Sequence, residues 1–225
     1  MKIKSFIKMI IDIAITLLMI VCMSGLMAGD LLHEVFGSAI LVLYLTHNIL
    51  NWKWYANIFK GKYSAVRSVW KVINILSFVF LIAQGISGIV LSNYVFTFLN
   101  IESGFSLTRK VHLACGYWSL IFVSLHLEFH WSMIAAKVGL NKIKSKSFIW
   151  LVRIIVFIIC IFGVYSFISN KLWLYMFLVN HFAFFDFEKP MALFYMEYVC
   201  IMILFATVGF YIKRSLRFGR NDRQC

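Results

Sequence analysis

Proline is almost missing from this chain, with one residue in 225, so little in the sequence breaks long helices. Acidic charge is scarce too: nine Asp and Glu stand against 22 Lys and Arg. Five cysteines, Cys22, Cys115, Cys160, Cys200 and Cys225, are scattered singly, without paired-thiol spacing and without C-x-x-C-H. Disulfide frameworks, iron–sulfur clusters and covalently attached haem are therefore disfavoured. No G-x-G-x-x-G stretch occurs, so the chain does not itself bind NADH in a Rossmann fold.

What is abundant is apolar. Hydrophobic residues make up 62% of the chain and the mean hydropathy is +0.87, the composition of an integral membrane protein. Six runs are long enough to span a bilayer, roughly 6 to 28, 31 to 52, 70 to 92, 108 to 136, 148 to 168 and 192 to 212. The first, about twenty residues long, exceeds the h-region of a signal peptide and is read as a retained helix.

The net charge of +13 raises the question of nucleic acid, and the placement of the cations answers it. Lys2, Lys4 and Lys8 precede the first run. Lys53, Lys60, Lys62, Arg67 and Lys71 fall between the second and third, and Lys137, Lys142, Lys144, Lys146 and Arg153 between the fourth and fifth. Lys213, Arg214, Arg217, Arg220 and Arg223 follow the sixth. The other connections carry most of the acids, which is the positive-inside pattern of a multi-pass protein with both termini cytoplasmic. No nucleic-acid partner is expected; membrane lipids are.

Four histidines interrupt these runs in a repeated pattern. HEVFGSAILVLYLTHNILNW begins at His33, and HLACGYWSLIFVSLHLEFHW begins at His112. His33, Gly37, His47 and Trp52 recur as His112, Gly116, His126 and Trp131 at one constant offset. Within each copy the histidines are fourteen residues apart, so they share one helix face and stand about 21 Å apart along the axis. Ser24-Gly25 and Ser87-Gly88 occupy matching places in the helices before them, which makes the repeat a helix pair. The two histidine-bearing helices then run in the same direction and offer one histidine pair near each membrane surface.

A polar ring in hydrocarbon is costly unless satisfied. Zinc fits poorly, because no cysteine or carboxylate accompanies each pair, whereas a bis-histidine haem needs two axial ligands. Gly37 and Gly116 lie one turn beyond a histidine, where a missing side chain leaves room for a flat macrocycle. Arg109, one turn outward of His112, is placed for haem propionates, although its repeat counterpart is Asp30. His130 is also in phase with His112 and rivals His126 as the inner ligand. Repeat register favours His126, since His130 corresponds to Asn51, and gives His130 a propionate or supporting role. The connection at 93 to 109 is expected to lie at the interface over one end of the bundle. His181, in an aromatic outer connection, and Glu128 are candidates for proton handling at a quinone.

These histidine helices resemble the dihaem core of respiratory cytochrome b. The segments HEVFG, HNILNW and HLEFHW more specifically resemble the flavinylation-associated cytochromes, a prokaryotic membrane family, over about residues 10 to 135. The resemblance implies metal ligation by His33, His47, His112 and His126, and electron transfer to extracytoplasmic proteins carrying covalent flavin.

The expected fold is therefore an all-α polytopic membrane bundle with six transmembrane helices. Residues 1–140 form a four-helix dihaem core from repeat units of about 6–56 and 70–136, and 141–225 add two helices and a basic tail. The expected function is transmembrane electron transfer through two stacked b-type haems in a prokaryotic cytoplasmic membrane. The chain is then an electron-transfer component rather than a stand-alone enzyme, with a flavoprotein or other redox partner outside and menaquinone a candidate donor. The rivals are a haem-bearing anchor of a quinone oxidoreductase, a histidine-based metal or proton transporter, and a scaffold without cofactor.

Overall fold

The computed structural model describes residues 3–61, 64–101, 105–138, 145–180, 186 and 188–221; side chains at 26, 28, 105, 129–138 and 218–221 lie outside the description. The chain is helical throughout, with no strand among the described residues. Six long helices, α1 (Ile3–Cys22), α2 (Asp30–Leu50), α4 (Ala65–Val90), α5 (Phe105–Val138), α6 (Lys146–Ser169) and α8 (Met191–Asn221), fall on the six expected runs. Short helices α3 (Trp52–Ala56) and α7 (Leu172–Met176) sit in the connections. The expected boundary at residue 140 and His181 lie outside the described residues, as does the side chain of His130.

Four of these helices, α1, α4, α6 and α8, are long and apolar enough to cross a membrane. The histidine-bearing α2 and α5 have the length, 21 and 34 residues, but not the apolarity. Asp30, His33, Glu34, His47 and Asn48 lower the hydropathy of α2, and Arg109, Lys110, His112, His126 and Glu128 that of α5. The residues that make these helices chemically interesting thus make them poorer spans. Apolar side chains remain outside elsewhere: Ile10, Ile13 and Leu17 of α1 and Phe157, Ile161 and Ile168 of α6 are all exposed, as lipid-facing positions are.

The chain forms two compact units. The first contains 1–62, 78–119 and 174–195; the second contains 63–77, 120–173 and 196–225.

In the first unit α1 packs against α2, burying Ile11, Ile15 and Met19, which recur every fourth residue on one helix face. The turn between them needs glycine: Gly25 has φ 50° and Gly29 φ 91°. Ser24-Gly25 therefore belongs to a turn after α1, whereas its counterpart Ser87-Gly88 stays inside α4. Trp118 of α5 donates from Nε1 to the Met176 carbonyl at 3.1 Å, and Tyr117 packs on Tyr175 at 5.3 Å, tying α7 to α5.

In the second unit α6 and α8 meet at Gly163, where a Cβ would lie 2.7 Å from the Cys200 carbonyl oxygen. Two buried acids are paired there. Glu128 takes an ion pair from Lys213 at 3.1 Å, and Glu197 accepts from the Asn170 amide at 2.9 Å. Charges removed from water need such partners.

Candidate functional site

The first unit contains a cavity of about 510 Å³, within the range of cofactor clefts. His33 and Gly37 of α2, Gln84 and Gly88 of α4, and Arg109, His112 and Gly116 of α5 all line it, with Met19 and Cys22 of α1. The structure thus brings together four residues of one expected cofactor site with a fifth, Arg109, at an exposed position. Asp30, the repeat counterpart of Arg109, also lines the cavity.

His33 and His112 face each other there, with ring centroids 6.0 Å apart and planes at 72°. Two imidazoles on one metal at about 2 Å from each ligating nitrogen have centroids about 6.3 Å apart, so the spacing fits a shared iron. Gly37 opens on empty space, since a Cβ built there meets nothing within 4 Å. Gly116 differs: its added Cβ would be in ordinary contact with the Gln84 amide at 3.5 Å and Met23 at 3.6 Å.

The hydrogen bonds around His112 set its tautomer. Ser87 Oγ has one proton and donates it to the Ala83 carbonyl at 2.7 Å, so it accepts from His112 Nδ1 at 3.0 Å. Nε2 of His112 therefore carries the lone pair, and accepts from the Gln84 amide at 3.0 Å. A metal-ligating histidine has this form: one nitrogen held by an acceptor, the other basic. Gly88 gives the ring room, because a Cβ there would lie 3.3 Å from His112 Cε1 and the ring would have to shift by a few tenths of an ångström. His33 is less settled. The Cys22 backbone interacts with its ring, yet Nδ1 is buried and completes no hydrogen bond. The Gln84 carbonyl oxygen of the side-chain amide is likewise buried without a partner. Orphaned polar atoms beside an open volume are what a bound polar or metal-centred group would relieve.

Glu34 closes one side of this region. Its carboxylate accepts from Ser92 Oγ at 2.6 Å and from the backbone N–H groups of Asn93, Tyr94 and Val95 at 2.7, 2.9 and 3.0 Å. Asn93 and Phe96 line the cavity, so the connection after α4 covers part of it as its sequence suggests.

The other two histidines have the same tautomeric arrangement with other partners. In the first unit His47 donates from Nδ1 to Asp12 Oδ1 at 2.6 Å, leaving Nε2 toward the Asn51 amide at 3.3 Å. In the second unit His126 donates from Nδ1 to Asn74 Oδ1 at 2.7 Å. Among the described residues no group of three or more His, Cys, Asp or Glu is placed to hold a metal ion; an axial pair on a macrocycle needs only two.

Asp12, Asn74, Gln84 and Ser87 were not visible as site residues in the sequence. The available signal was polarity out of place: Asp12 is the sole acid of α1, and Asn74 and Gln84 interrupt the apolar run of α4. No protein-family model, curated protein or solved structure matches the chain.

Proposed function

We propose that this chain is a membrane electron carrier holding two b-type haems, with His33 and His112 as the ligands to one iron. The observation that carries the reading is the facing of His33 and His112 across one cavity at 6.0 Å. Bound haem supplies reversible one-electron exchange at iron. The chain's own residues do the rest. Ser87, Asp12 and Asn74 hold three imidazoles by Nδ1 and leave Nε2 basic. Gly37 leaves space for the macrocycle edge, and Arg109 at the cavity rim would pair with propionates. The second haem rests on the sequence repeat, in which His47 and His126 hold matching places.

In this reading α2 and α5 span the bilayer beside the four apolar helices, giving six spans and cytoplasmic termini in a prokaryotic inner membrane. Charge asymmetry between the connections supports that orientation. Electrons pass singly from a membrane quinol such as menaquinol, or from a cytoplasmic-side donor, to an acceptor outside. The resemblance to the flavinylation-associated cytochromes makes a flavin-bearing protein the natural acceptor.

Purified protein from a haem-sufficient host tests the proposal through its oxidised and reduced spectra. Two b-type haems per chain are expected, with His126→Ala losing one and His130→Ala retaining both. Colourless protein that binds zinc would instead favour metal transport.

A further inference from the structure

The turn that follows α4 has neither helix nor strand to satisfy its backbone, and it spends its donors on one side chain of α2 instead. The N–H groups of Asn93, Tyr94 and Val95 donate to the Glu34 carboxylate at 2.7, 2.9 and 3.0 Å, and that of Phe96 donates to Ser92 Oγ at 2.9 Å. Ser92 Oγ passes its own proton to Glu34 Oε2 at 2.6 Å, so the turn converges on Glu34. The same turn is a wall of the cavity: Leu91, Ser92, Asn93 and Phe96 line it beside Glu34 and His33, while Tyr94 is 54% exposed. A wall built on secondary structure is fixed by a ladder of bonds. This one is held by a carboxylate, and rotation of that one side chain frees four donors together. Asn93 and Tyr94 are exposed, so donors freed there can pass to water, which keeps the cost of opening small.

We propose that residues 91–96 are a lid on the cavity and that Glu34 is its clasp, so that haem enters and leaves the His33–His112 site only when the clasp opens. This rests on the reading of that cavity as a haem site. Glu34 is then a positioning residue that acts through the lid and is not a ligand. A gate scales entry and exit by one factor, the population of its open form, and leaves the affinity of the site alone. Loss of a group that supports a ligand does the reverse and lowers affinity. Opening also uncovers the amides of 93–95, so their hydrogen exchange reports the same event.

The test compares wild type, Glu34→Gln, Glu34→Ala and Ser92→Ala in detergent. Three quantities are read in each: hydrogen exchange at the amides of 93–95, the rate of haem uptake by protein from a haem-deficient host, and the rate of haem transfer from loaded protein to an excess of an apo-haem-binding protein. The kinetic phase absent from His112→Ala belongs to this site. Glu34→Gln keeps the size and loses the charge, so all three rates should rise about fivefold; Glu34→Ala, which leaves no acceptor, should raise them about tenfold or more. Ser92→Ala removes one donor and should have a smaller effect in the same direction. In every variant uptake and release should rise together, with their ratio and the haem spectrum unchanged.

Faster amide exchange with unchanged haem rates would mean that haem does not pass the turn. Faster release without faster uptake would make Glu34 a support of the cofactor site, and unchanged amide exchange would mean that Glu34 clasps nothing. Each of these overturns the inference, and Ser92→Ala carries the test where the Glu34 variants do not fold. Wild-type protein whose His33–His112 site takes up no haem would instead remove the haem reading itself.

Discussion

His47 and His126 hold the same place in the two copies of the repeat, and each rests its Nδ1 on an oxygen from the helix before its own. Asp12 of α1 supplies that oxygen in one copy and Asn74 of α4 in the other. The other two histidines diverge further. His112 has Ser87 and Gln84 on its two nitrogens, while His33 leaves Nδ1 buried without a bond. The comparison teaches that three of the four imidazoles have an acceptor behind Nδ1, supplied by a different residue each time. Charge is the property in which the two supports differ, and in a low-dielectric setting charge has the largest consequences.

The most severe way to break the comparison is to remove a ring. If the chain holds two haems as proposed, His112→Ala should retain one and His47→Ala the other, as measured by haem content and reduced-minus-oxidised spectra. Loss of both haems from either variant would show that the two sites form together rather than independently. Filling the open side of the cavity is next in size. Gly37→Leu places a side chain where the structure has nothing within 4 Å, so it should exclude the His33–His112 haem while leaving thermal stability in detergent near wild type. Unimpaired haem content would place the macrocycle elsewhere.

Ser87→Ala sharpens the contrast between supports. It removes the acceptor from His112 Nδ1, and loss of an outer hydrogen bond of this kind weakens metal binding roughly 10- to 100-fold. Haem competition with an apo-haem-binding protein measures it, and only the His33–His112 site should respond. Gly163→Ala is the control from the second unit. Its Cβ meets the Cys200 backbone at 2.7 Å, so overpacking of about 1–3 kcal/mol should lower the unfolding temperature without moving either haem spectrum. The smallest effect is expected from Glu34→Gln. Weakening its bonds to Ser92 and to the amides of Asn93, Tyr94 and Val95 should cost roughly 1 kcal/mol locally, read as faster hydrogen exchange at those three amides.

Much of this protein was legible before any coordinates. Runs of apolar residues located all six long helices, although α1 ends earlier, at Cys22, and α8 runs on past its apolar run to Asn221, because helix formation in an apolar chain follows local composition. The histidine spacing located one face on α2 and one on α5, because helical phase is a local property. That His33 and His112 meet, and that Gly37 opens beside them, depends on how α2 and α5 pack as well as on that phase.

What the sequence could not supply was the set of residues standing behind the imidazoles. Asp12 reaches His47 from 35 positions away, Asn74 reaches His126 from 52, and Ser87 reaches His112 from 25. Matching glycines likewise took unlike tasks. Gly25 makes a turn at φ 50°, whereas Gly88 gives up its side chain to a histidine ring. Composition and periodicity are set along one helix, so the chain alone determined the helices and the face each histidine occupies. Which acceptor meets which ring depends on how neighbouring helices rotate and pack, and that only the tertiary structure decided.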